Sequence, residues 1–234
     1  MRVSILICTP DSTSMRFRRC YNSLLTTTKG HSYDLRIFDN RGDKDFSHIT
    51  EINKALDIAD GPMVTIDDDV VLEGNWLDAL LNQVTPTVGI VSCTSTNERG
   101  QIRSKGATFT KHGVAKLLRR EINEPIFVPC TGSCCSLINT PTLGGLRYSH
   151  EYKKYCFDPD LSFRLWERSI STIVVPEKVW HDSGGTMRDL GIDRRPFAQA
   201  DEATFKKKWI DTGRLQELYD RHSLLWPEEL RSIL

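Results

Sequence analysis

The chain has 234 residues, of which 39% are hydrophobic and 26% are charged, as in a globular domain with a buried core. Its 31 basic and 31 acidic side chains give no net charge, so composition does not indicate nucleic acid as a partner, and we expect at most peripheral membrane contact. The amino-terminal apolar run is too short for a signal peptide and the seven cysteines are an odd number, so we expect a cytoplasmic protein with reduced thiols.

Strand and helix patterns alternate along the first 93 residues. Continuous apolar or β-branched runs predict strands at 3–8, 33–38, 63–66 and 88–93. Helical spacing of apolar residues predicts helices after the cluster 12–14, along 49–59 and after a cap at Asn75. This alternation predicts an α/β fold, with a mostly parallel, Rossmann-like sheet sandwiched by helices.

The rest of the chain is less regular. Residues 94–126 fit a hairpin or a long loop, residues 127–138 have strand character, and 173–175 predict a last strand. We predict a helix over 161–166 that begins at Asp158, with Pro159 in its first position. Apolar residues at helical intervals in 195–234 predict C-terminal packing helices or a flap.

Three consecutive carboxylates, Asp67, Asp68 and Asp69, directly follow the strand predicted at 63–66. Side chains alternate along an extended segment, so Asp67 and Asp69 point to one side and Asp68 to the other. Two like charges this close are tolerated mainly around a hard cation such as Mg²⁺, Mn²⁺ or Ca²⁺. The alternative is a surface turn whose Asp residues begin the next helix. An EF-hand loop is excluded because Val71 stands where that loop needs its next acidic ligand.

Two other polar turns follow predicted strands: Thr9-Pro10-Asp11 and Asp39-Asn40. The carboxyl ends of parallel strands share one edge of a sheet, so these turns are expected beside the Asp triplet, where a nucleotide binds in such folds. The sequence has neither of the usual Gly-rich phosphate-binding motifs. A divalent cation on Asp67 and Asp69 could hold a diphosphate instead.

These motifs occur in an order that resembles the nucleotide-sugar domain of glycosyltransferase family 2, the inverting GT-A enzymes. The resemblance covers residues 3–186 and is carried by SILICTP at 4–10, DNRG at 39–42, Asn53, Asp60-Gly61, IDDDV at 66–70, Trp76-Leu77, GSCCSLI at 132–138, FDPDLSFRL at 157–165 and VWHD at 179–182. It implies a GT-A fold and metal-dependent inverting transfer of a sugar from a nucleoside-diphosphate sugar, UDP-linked by preference. The acceptor implied is a hydroxyl group, as on a glycan or glycoconjugate.

The resemblance also implies the binding residues. The donor-nucleotide set is Thr9, Pro10, Asp11, Asp39, Asn40, Arg41, Asp67 and Asp68. Within it, Asp39 would accept a hydrogen bond from the uracil or thymine ring, and Asp67 would approach both ribose and metal. Asp69 and His181 would be metal ligands with Asp67, and a nitrogen ligand beside carboxylates suits Mn²⁺ somewhat better than Mg²⁺.

By the same resemblance Asp158 is the general base, the carboxylate that inverting transfer needs on the acceptor side. Phe157 stands where many relatives have Glu, and Pro159 favours the alternative that Asp158 caps a helix. Asp160 is the substitute candidate for the base.

The predicted organisation is one continuous domain with three parts: a nucleotide-sugar-binding half (1–93), an acceptor-side half (94–186) and a C-terminal helical extension (187–234). Two alternative functions stay open. One is a non-catalytic nucleotide-sugar or glycan-binding module of the same fold. The other is a sugar-nucleotide pyrophosphorylase, which predicts a Gly-rich basic loop after the first strand that residues 8–12 do not provide.

Overall fold

The structure is a computed structural model that describes residues 2–42 and 47–231. Its strands are β1 (Val3–Thr9), β2 (Tyr33–Asp39), β3 (Met63–Asp67), β4 (Val70–Leu72), β5 (Val88–Thr96), β6 (Ile102–Ser104), β7 (Ala107–Phe109), β8 (Ala115–Leu117), β9 (Ile126–Phe127), β10 (Cys135–Ile138) and β11 (Ser171–His181). Its α-helices are α1 (Met15–Thr27), α2 (His48–Asp57), α3 (Trp76–Leu81), α4 (Phe157–Trp166), α5 (Gly185–Asp189), α6 (Arg195–Phe205), α7 (Arg214–His222) and α8 (Glu228–Arg231). A π-helical turn covers Lys206–Ile210, and 3₁₀ turns cover Thr140–Leu143 and Ser223–Leu225.

The central sheet has the strand order β2-β1-β3-β10-β5-β11-β4. Strands β2, β1 and β3 are mutually parallel, and β5 is parallel to β11. Strand β10 lies antiparallel between β3 and β5, and β4 is antiparallel to β11. The predicted α/β fold with a mostly parallel sheet is confirmed, and β10 and β4 are its antiparallel members.

Each face of the sheet has its own hydrophobic core. Val3, Ile5 and Ile7 of β1 pack with α1 and α3 on one face, whereas Leu6 and Cys8 pack with α2 and α4 on the other. This is the alternation expected of a strand covered on both faces. Buried residues of the C-terminal helices, such as Phe205, Trp209 and Leu215, join the second of these cores, so the predicted C-terminal packing helices are confirmed.

The segment between β5 and β10 contains two short hairpins, as one of the two predictions for 94–126 proposed. Strand β6 folds back on β5, and β7 pairs with β8. The predicted strand over 127–138 was wrong in its middle, because the sheet contains only its two ends, β9 and β10. Val128 donates its amide to Thr172, and Cys130 forms a bridge with Ala107. The chain at 128–134 therefore connects β9 to β10 without forming a strand, and it bonds to β11 at Val128 and to β7 at Cys130.

The predicted start of α4 was also wrong. The helix begins at Phe157 and its N-cap residue is Cys156, which has a left-handed φ of 60°. Asp158 is thus the second helical residue and makes no capping bond, and Pro159 is the third. Proline is tolerated there because amides of the first turn have no partner within the helix.

Among residues 2–42 and 47–231, we find no helix whose length and apolar character would let it cross a membrane.

Gly106 allows the hairpin β7–β8 to approach the loop that follows β9. Its φ is +91°, and an added Cβ would lie 2.8 Å from Cβ of Val128. Gly100 also has a positive φ, of +72°, but an added Cβ there would meet nothing within 4 Å. We predict that Gly106→Ala lowers the free energy of unfolding by about 2–4 kcal/mol, because overpacking adds to backbone strain. Gly100→Ala should lower it by only about 1 kcal/mol. Urea denaturation of both variants measures the difference, and equal losses would contradict the proposed contact.

Candidate active site

Two carboxylates and one imidazole converge at the carboxyl end of β3. The nearest ligand atoms of Asp67, Asp69 and His181 all lie within 4.8 Å of one another. Nε2 of His181 is 3.1 Å from Oδ1 of Asp69 and 3.7 Å from Oδ2 of Asp67. Two carboxylate oxygens and one imidazole nitrogen form a donor set that suits Mn²⁺ or Mg²⁺, with the nitrogen favouring Mn²⁺. The residues that were predicted as metal ligands are therefore brought together.

Strand pairing produces this convergence. Asp67 ends β3, Asp69 lies in the turn that follows, and His181 ends β11. Because β4 starts at Val70 and pairs antiparallel with β11, His181 lies opposite Val70. The amide of Asp182 also donates to the carbonyl oxygen of Asp69, at 3.0 Å. Backbone hydrogen bonds thus fix the imidazole beside the acidic turn.

The protonation of His181 reflects its charged surroundings. Burial by itself would lower the pKa of the imidazole. Cys134, the hydrogen bond to Asp69 and the charge of Asp67 outweigh burial and raise the pKa to about 11. A proton on His181 would thus balance the acidic pair, and a bound cation would replace that proton when the neutral imidazole serves as a ligand. The proximity of Cys134 to His181 was not predicted, because it depends on the path of residues 128–134.

Asp68 points away from the other two carboxylates, as strand alternation predicts. One of its oxygens accepts from the Thr9 hydroxyl at 2.8 Å, and the other accepts from the Thr186 hydroxyl at 2.9 Å. Burial raises the pKa of Asp68, while both hydrogen bonds oppose the increase. In this structure Asp68 ties the end of β1 to α5, and its predicted contact with the donor stays a prediction.

The other predicted donor residues form a polar rim at the ends of β1 and β2. The Asn40 amide donates to the Thr9 carbonyl at 2.8 Å, which holds the two turns together. The Arg41 guanidinium reaches Asp39 at 2.8 Å and Asp11 at 3.2 Å. Pro10 lies between Thr9 and Asp11 in the first turn. The structure therefore gathers the predicted set at one edge.

Asp39 is held in its ionised form. A hydrogen bond from the Ser12 hydroxyl is the main cause, and the amide and guanidinium of Arg41 add to it, so the pKa of Asp39 falls to about 2. An ionised carboxylate accepts hydrogen bonds but donates none, which suits a partner rich in N–H groups. The sequence reasoning treated Ser12 only as part of a helix-capping cluster and missed its contact with Asp39.

Asp158 lies in a different environment at the start of α4. Burial raises the pKa of its carboxyl to about 8, the Ser133 hydroxyl opposes the increase by hydrogen bonding, and the charge of Asp67 adds to it. Although the residue as a whole is partly exposed, its Oδ1 atom is buried and has no hydrogen-bond partner among the described residues. A buried carboxylate oxygen without a donor is rare in folded proteins and marks a candidate binding or catalytic position.

Asp160, the substitute candidate for the base, has all of its hydrogen-bonding capacity engaged within the protein. It is fully buried and accepts from Tyr152, Arg164 and Trp209, at 3.2, 2.8 and 2.9 Å. The ammonium group of Lys208 lies 2.9 Å from the same carboxylate. Both oxygens of Asp160 are therefore engaged by groups within the protein.

Two further residues near the site, His48 and Lys154, were not predicted from the sequence. Burial lowers the pKa of His48, the charge of Lys154 lowers it further, and that of Asp67 opposes both. His48, Lys154 and Asp67 therefore share one electrostatic environment although they come from α2, the loop before α4 and β3. The only sequence signal was the position of His48 at a helix start, which does not indicate a site.

Comparison with known proteins supports the fold. No family model matches the chain, and no curated protein matches it in sequence. The crystal structure of GalNAc-T7 with UDP, GalNAc and Mn²⁺ has a TM-score of 0.60 and 13% identity, with 77% of this chain and 44% of that chain covered. The structure of S. aureus TarS has a TM-score of 0.52 and 13% identity, with 98% and 45% covered.

At these identities the likeness shows the fold alone. It confirms the predicted GT-A glycosyltransferase fold. The chain spans less than half the length of either structure.

The convergence of Asp67, Asp69 and His181 predicts a manganese site. We expect Mn²⁺ to raise the melting temperature of the wild-type chain, because a ligand that binds only the folded state stabilises it by mass action. Asp69→Asn and His181→Ala should each abolish at least about 90% of this shift, as loss of a ligand weakens metal affinity strongly. Asp60→Asn makes the same charge change as Asp69→Asn in the exposed turn before β3 and should keep the shift. Differential scanning fluorimetry measures the Mn²⁺-dependent shift in melting temperature. An unchanged shift in both Asp69→Asn and His181→Ala would refute the assignment of these residues as metal ligands.

Proposed function

We propose that this chain is a metal-dependent inverting glycosyltransferase that moves a sugar from a nucleoside-diphosphate sugar, UDP-linked by preference, to a hydroxyl group of a glycan or glycoconjugate. The observation that carries this proposal is the unpartnered, buried carboxylate oxygen of Asp158, at the sheet edge that also bears Asp67, Asp69 and His181. A group able to take a proton and a group able to hold a cation are thus within electrostatic reach of each other.

The donor nucleotide would lie along the rim formed by the ends of β1 and β2. The ionised Asp39 would accept from a ring N–H of the base, and Thr9, Pro10, Asp11, Asn40 and Arg41 would line the nucleoside. Arg41 now bridges Asp39 and Asp11, so base binding would replace or rearrange one of these ion pairs. Uracil and thymine each offer one such ring N–H, and the preference for UDP itself comes from the family resemblance.

Asp67, Asp69 and His181 would hold the metal, through two oxygens and one nitrogen. A bound Mn²⁺ or Mg²⁺ would offset the negative charge that develops on the leaving nucleoside diphosphate. Because this leaving group needs no proton, the chain needs no general acid, and a single base is sufficient. The site accordingly presents one carboxylate with a raised pKa beside an acidic pair that is balanced by an imidazole.

Asp158 would perform the proton transfer. Its free oxygen would accept the proton of the acceptor hydroxyl while the hydroxyl oxygen bonds to the anomeric carbon and the bond from that carbon to the diphosphate oxygen breaks. The Ser133 hydroxyl would orient the carboxylate by occupying its other side. Asp158 is preferred to Asp160 because the latter is fully buried with every oxygen engaged.

Phe157 does not remove the site, although it stands where many relatives have an acidic residue. It is buried, and its ring lies 5.4 Å from that of Tyr148 and 6.0 Å from that of His48. The aromatic packing shields the start of α4 from water. Burial is the largest cause of the raised pKa of Asp158, and the packing of Phe157 would contribute to it.

The proposal predicts that Asp158→Asn eliminates turnover but keeps donor binding. Removal of a general base costs about 10²- to 10⁴-fold in rate, whereas the rim and the metal ligands are unchanged. The measurement is release of nucleoside diphosphate with Mn²⁺, and glycosyl transfer to a panel of sugar acceptors, for UDP-, GDP- and dTDP-sugars. Asp60→Asn serves as the control. Mn²⁺-dependent binding without turnover in the wild type would instead support the non-catalytic module.

The same substitution should stabilise the fold. The folded-state pKa of Asp158 lies near 8, above its ordinary value of 3.8, so the folded chain holds this proton more tightly than the unfolded chain does. The free energy of unfolding therefore decreases as pH rises from about 4 to 8. Asp158→Asn cannot ionise, and we expect it to exceed the wild type by about 1–2 kcal/mol at pH 8, after discounting for partial exposure. Urea denaturation at pH 5 and pH 8 gives this difference, and a variant less stable at both values would contradict it.

A further inference from the structure

A carboxylate from the C-terminal helices holds the chain just before Asp158. Asp201, in α6, is 1% exposed. Its Oδ1 accepts from the amide of Lys153 at 2.9 Å, and its Oδ2 accepts from the amides of Lys154 and Tyr155, both at 2.7 Å. Three successive amides directed at one carboxylate form an anion nest, and such charge-assisted bonds are stronger than neutral ones.

A second set of contacts holds the chain just after Asp158. The carboxylate of Asp160 accepts from Trp209 Nε1 at 2.9 Å and lies 2.9 Å from Nζ of Lys208. Lys208 and Trp209 are adjacent in sequence, within the π-helical turn Lys206–Ile210. We call Asp201, Lys208 and Trp209 the C-terminal clasp, because they fix α4 on both sides of Asp158.

Between these two contacts the backbone adopts an uncommon conformation. Cys156 has a φ of 60° although it is not glycine, and only a few residues of this kind do so in folded proteins. Such a conformation persists where the surrounding structure fixes it. The clasp fixes it from both ends, and the turn directs Asp158 toward Ser133 and Asp67.

We propose that Asp201 is a positioning residue for catalysis, which holds the turn 153–156 so that the carboxylate of Asp158 stays aligned with the acceptor hydroxyl. Lys208 and Trp209 act in the same way through Asp160. This inference rests on the proposed function, since it assigns Asp158 as the base. It gives the C-terminal helices a role in catalysis, in which the three clasp residues act through the turn 153–156 and through Asp160.

A positioning role of Asp201 can be distinguished from a general role in stability by its effect on the pKa of Asp158. Loss of the Asp201 carboxylate would leave amides of 153–155 without acceptors, so the turn would loosen and water would reach Asp158. The Ser133 hydroxyl bonds to Asp158, and the charge of Asp158 interacts with the side chains of Asp67, Cys130, Tyr148 and Cys156. Burial is the main cause of the raised pKa of Asp158, so hydration would lower that pKa.

The test compares Asp201→Asn with Asp211→Asn. The control makes the same charge change at an exposed position that follows the π-helical turn. For Asp201→Asn we expect kcat to fall about 10- to 100-fold, as small displacements of catalytic groups produce. The KM for the donor and the melting-temperature shift with Mn²⁺ and UDP should change less than twofold. The acid limb of the kcat profile should move to lower pH, and amide hydrogen exchange should accelerate at 153–158 but not at 67–69.

Lys208→Met provides a second test if Asp201→Asn does not fold. The Lys208 side chain is 22% exposed, so its replacement is tolerated more easily. We expect a smaller loss of kcat, about threefold, with donor KM unchanged and faster exchange at 158–160. Rescue of kcat in Asp201→Glu relative to Asp201→Asn would further support the role of the carboxylate.

Two results would overturn the inference. One is faster exchange at 153–158 with kcat and its pH profile unchanged. The other is a parallel loss of kcat and of metal-dependent UDP binding in Asp201→Asn, which indicates general destabilisation. The wild type is measured alongside: if it has no turnover with any donor, the proposed function fails and the inference fails with it, whereas an active wild type with a normal Asp201→Asn variant rejects the inference alone.

Discussion

The antiparallel pairing of β4 with β11 is the constraint on which the site depends. Strand β4 is only three residues long, but it follows Asp69 directly and pairs with the last three residues of β11. This pairing brings His181 within 3.1 Å of Asp69. Without it, the two carboxylates on this side of the turn would face each other with no balancing charge, which the low dielectric of a partly buried site makes unfavourable. Strand pairing thus brings a basic side chain beside Asp67 and Asp69, which have none close to them in sequence.

The same sheet edge contains carboxylates with opposite electrostatic environments. Asp39 has a pKa of about 2 because Ser12 and Arg41 stabilise its charge, whereas burial raises that of Asp158 to about 8. Groups whose pKa values are driven apart in one site take different chemical roles. Here Asp39 is suited to remain an acceptor of hydrogen bonds at all physiological pH values, and Asp158 is suited to exchange a proton. Both residues are aspartates, so the difference between their pKa values follows from their surroundings.

Local patterns in the sequence predicted a large part of this arrangement. Alternation along an extended segment correctly separates Asp68 from Asp67 and Asp69, and the Ser12–Ser14 cluster does supply the cap of α1, through Ser14. The ends of parallel strands correctly place Thr9 and Asp39 on one rim. Side-chain alternation, helix caps and the alignment of strand ends depend on residues close in sequence and on a regular sheet. Hydrophobic periodicity in a single sequence is sufficient to predict them.

Contacts between distant segments were not predictable in this way. A strand-like pattern at 127–138 looks the same whether the segment pairs throughout or only at its ends, and here its middle includes an isolated bridge from Cys130 to Ala107 of β7. A run of three lysines such as Lys206–Lys208 is typical of a solvated surface, yet Lys208 lies 2.9 Å from the buried carboxylate of Asp160. Proline after Asp158 suggested a helix cap, but the left-handed Cys156 moved the helix start one residue earlier than Asp158. In each case the local sequence is compatible with more than one conformation, and contacts with distant parts of the chain determine which one forms.

Phe157 departs from the pattern of the family that the sequence resembles, and its packing shows how this departure is compatible with the proposed chemistry. A second carboxylate beside a base raises its pKa by like-charge repulsion, and an apolar neighbour raises it by excluding water. In this chain Phe157 packs against Tyr148 and His48, and burial is the largest cause of the raised pKa of Asp158, ahead of the charge of Asp67. Desolvation therefore does here what a neighbouring acidic group would do elsewhere. Because desolvation depends on how tightly the start of α4 is packed, the basicity of Asp158 depends on the contacts that hold that helix in place.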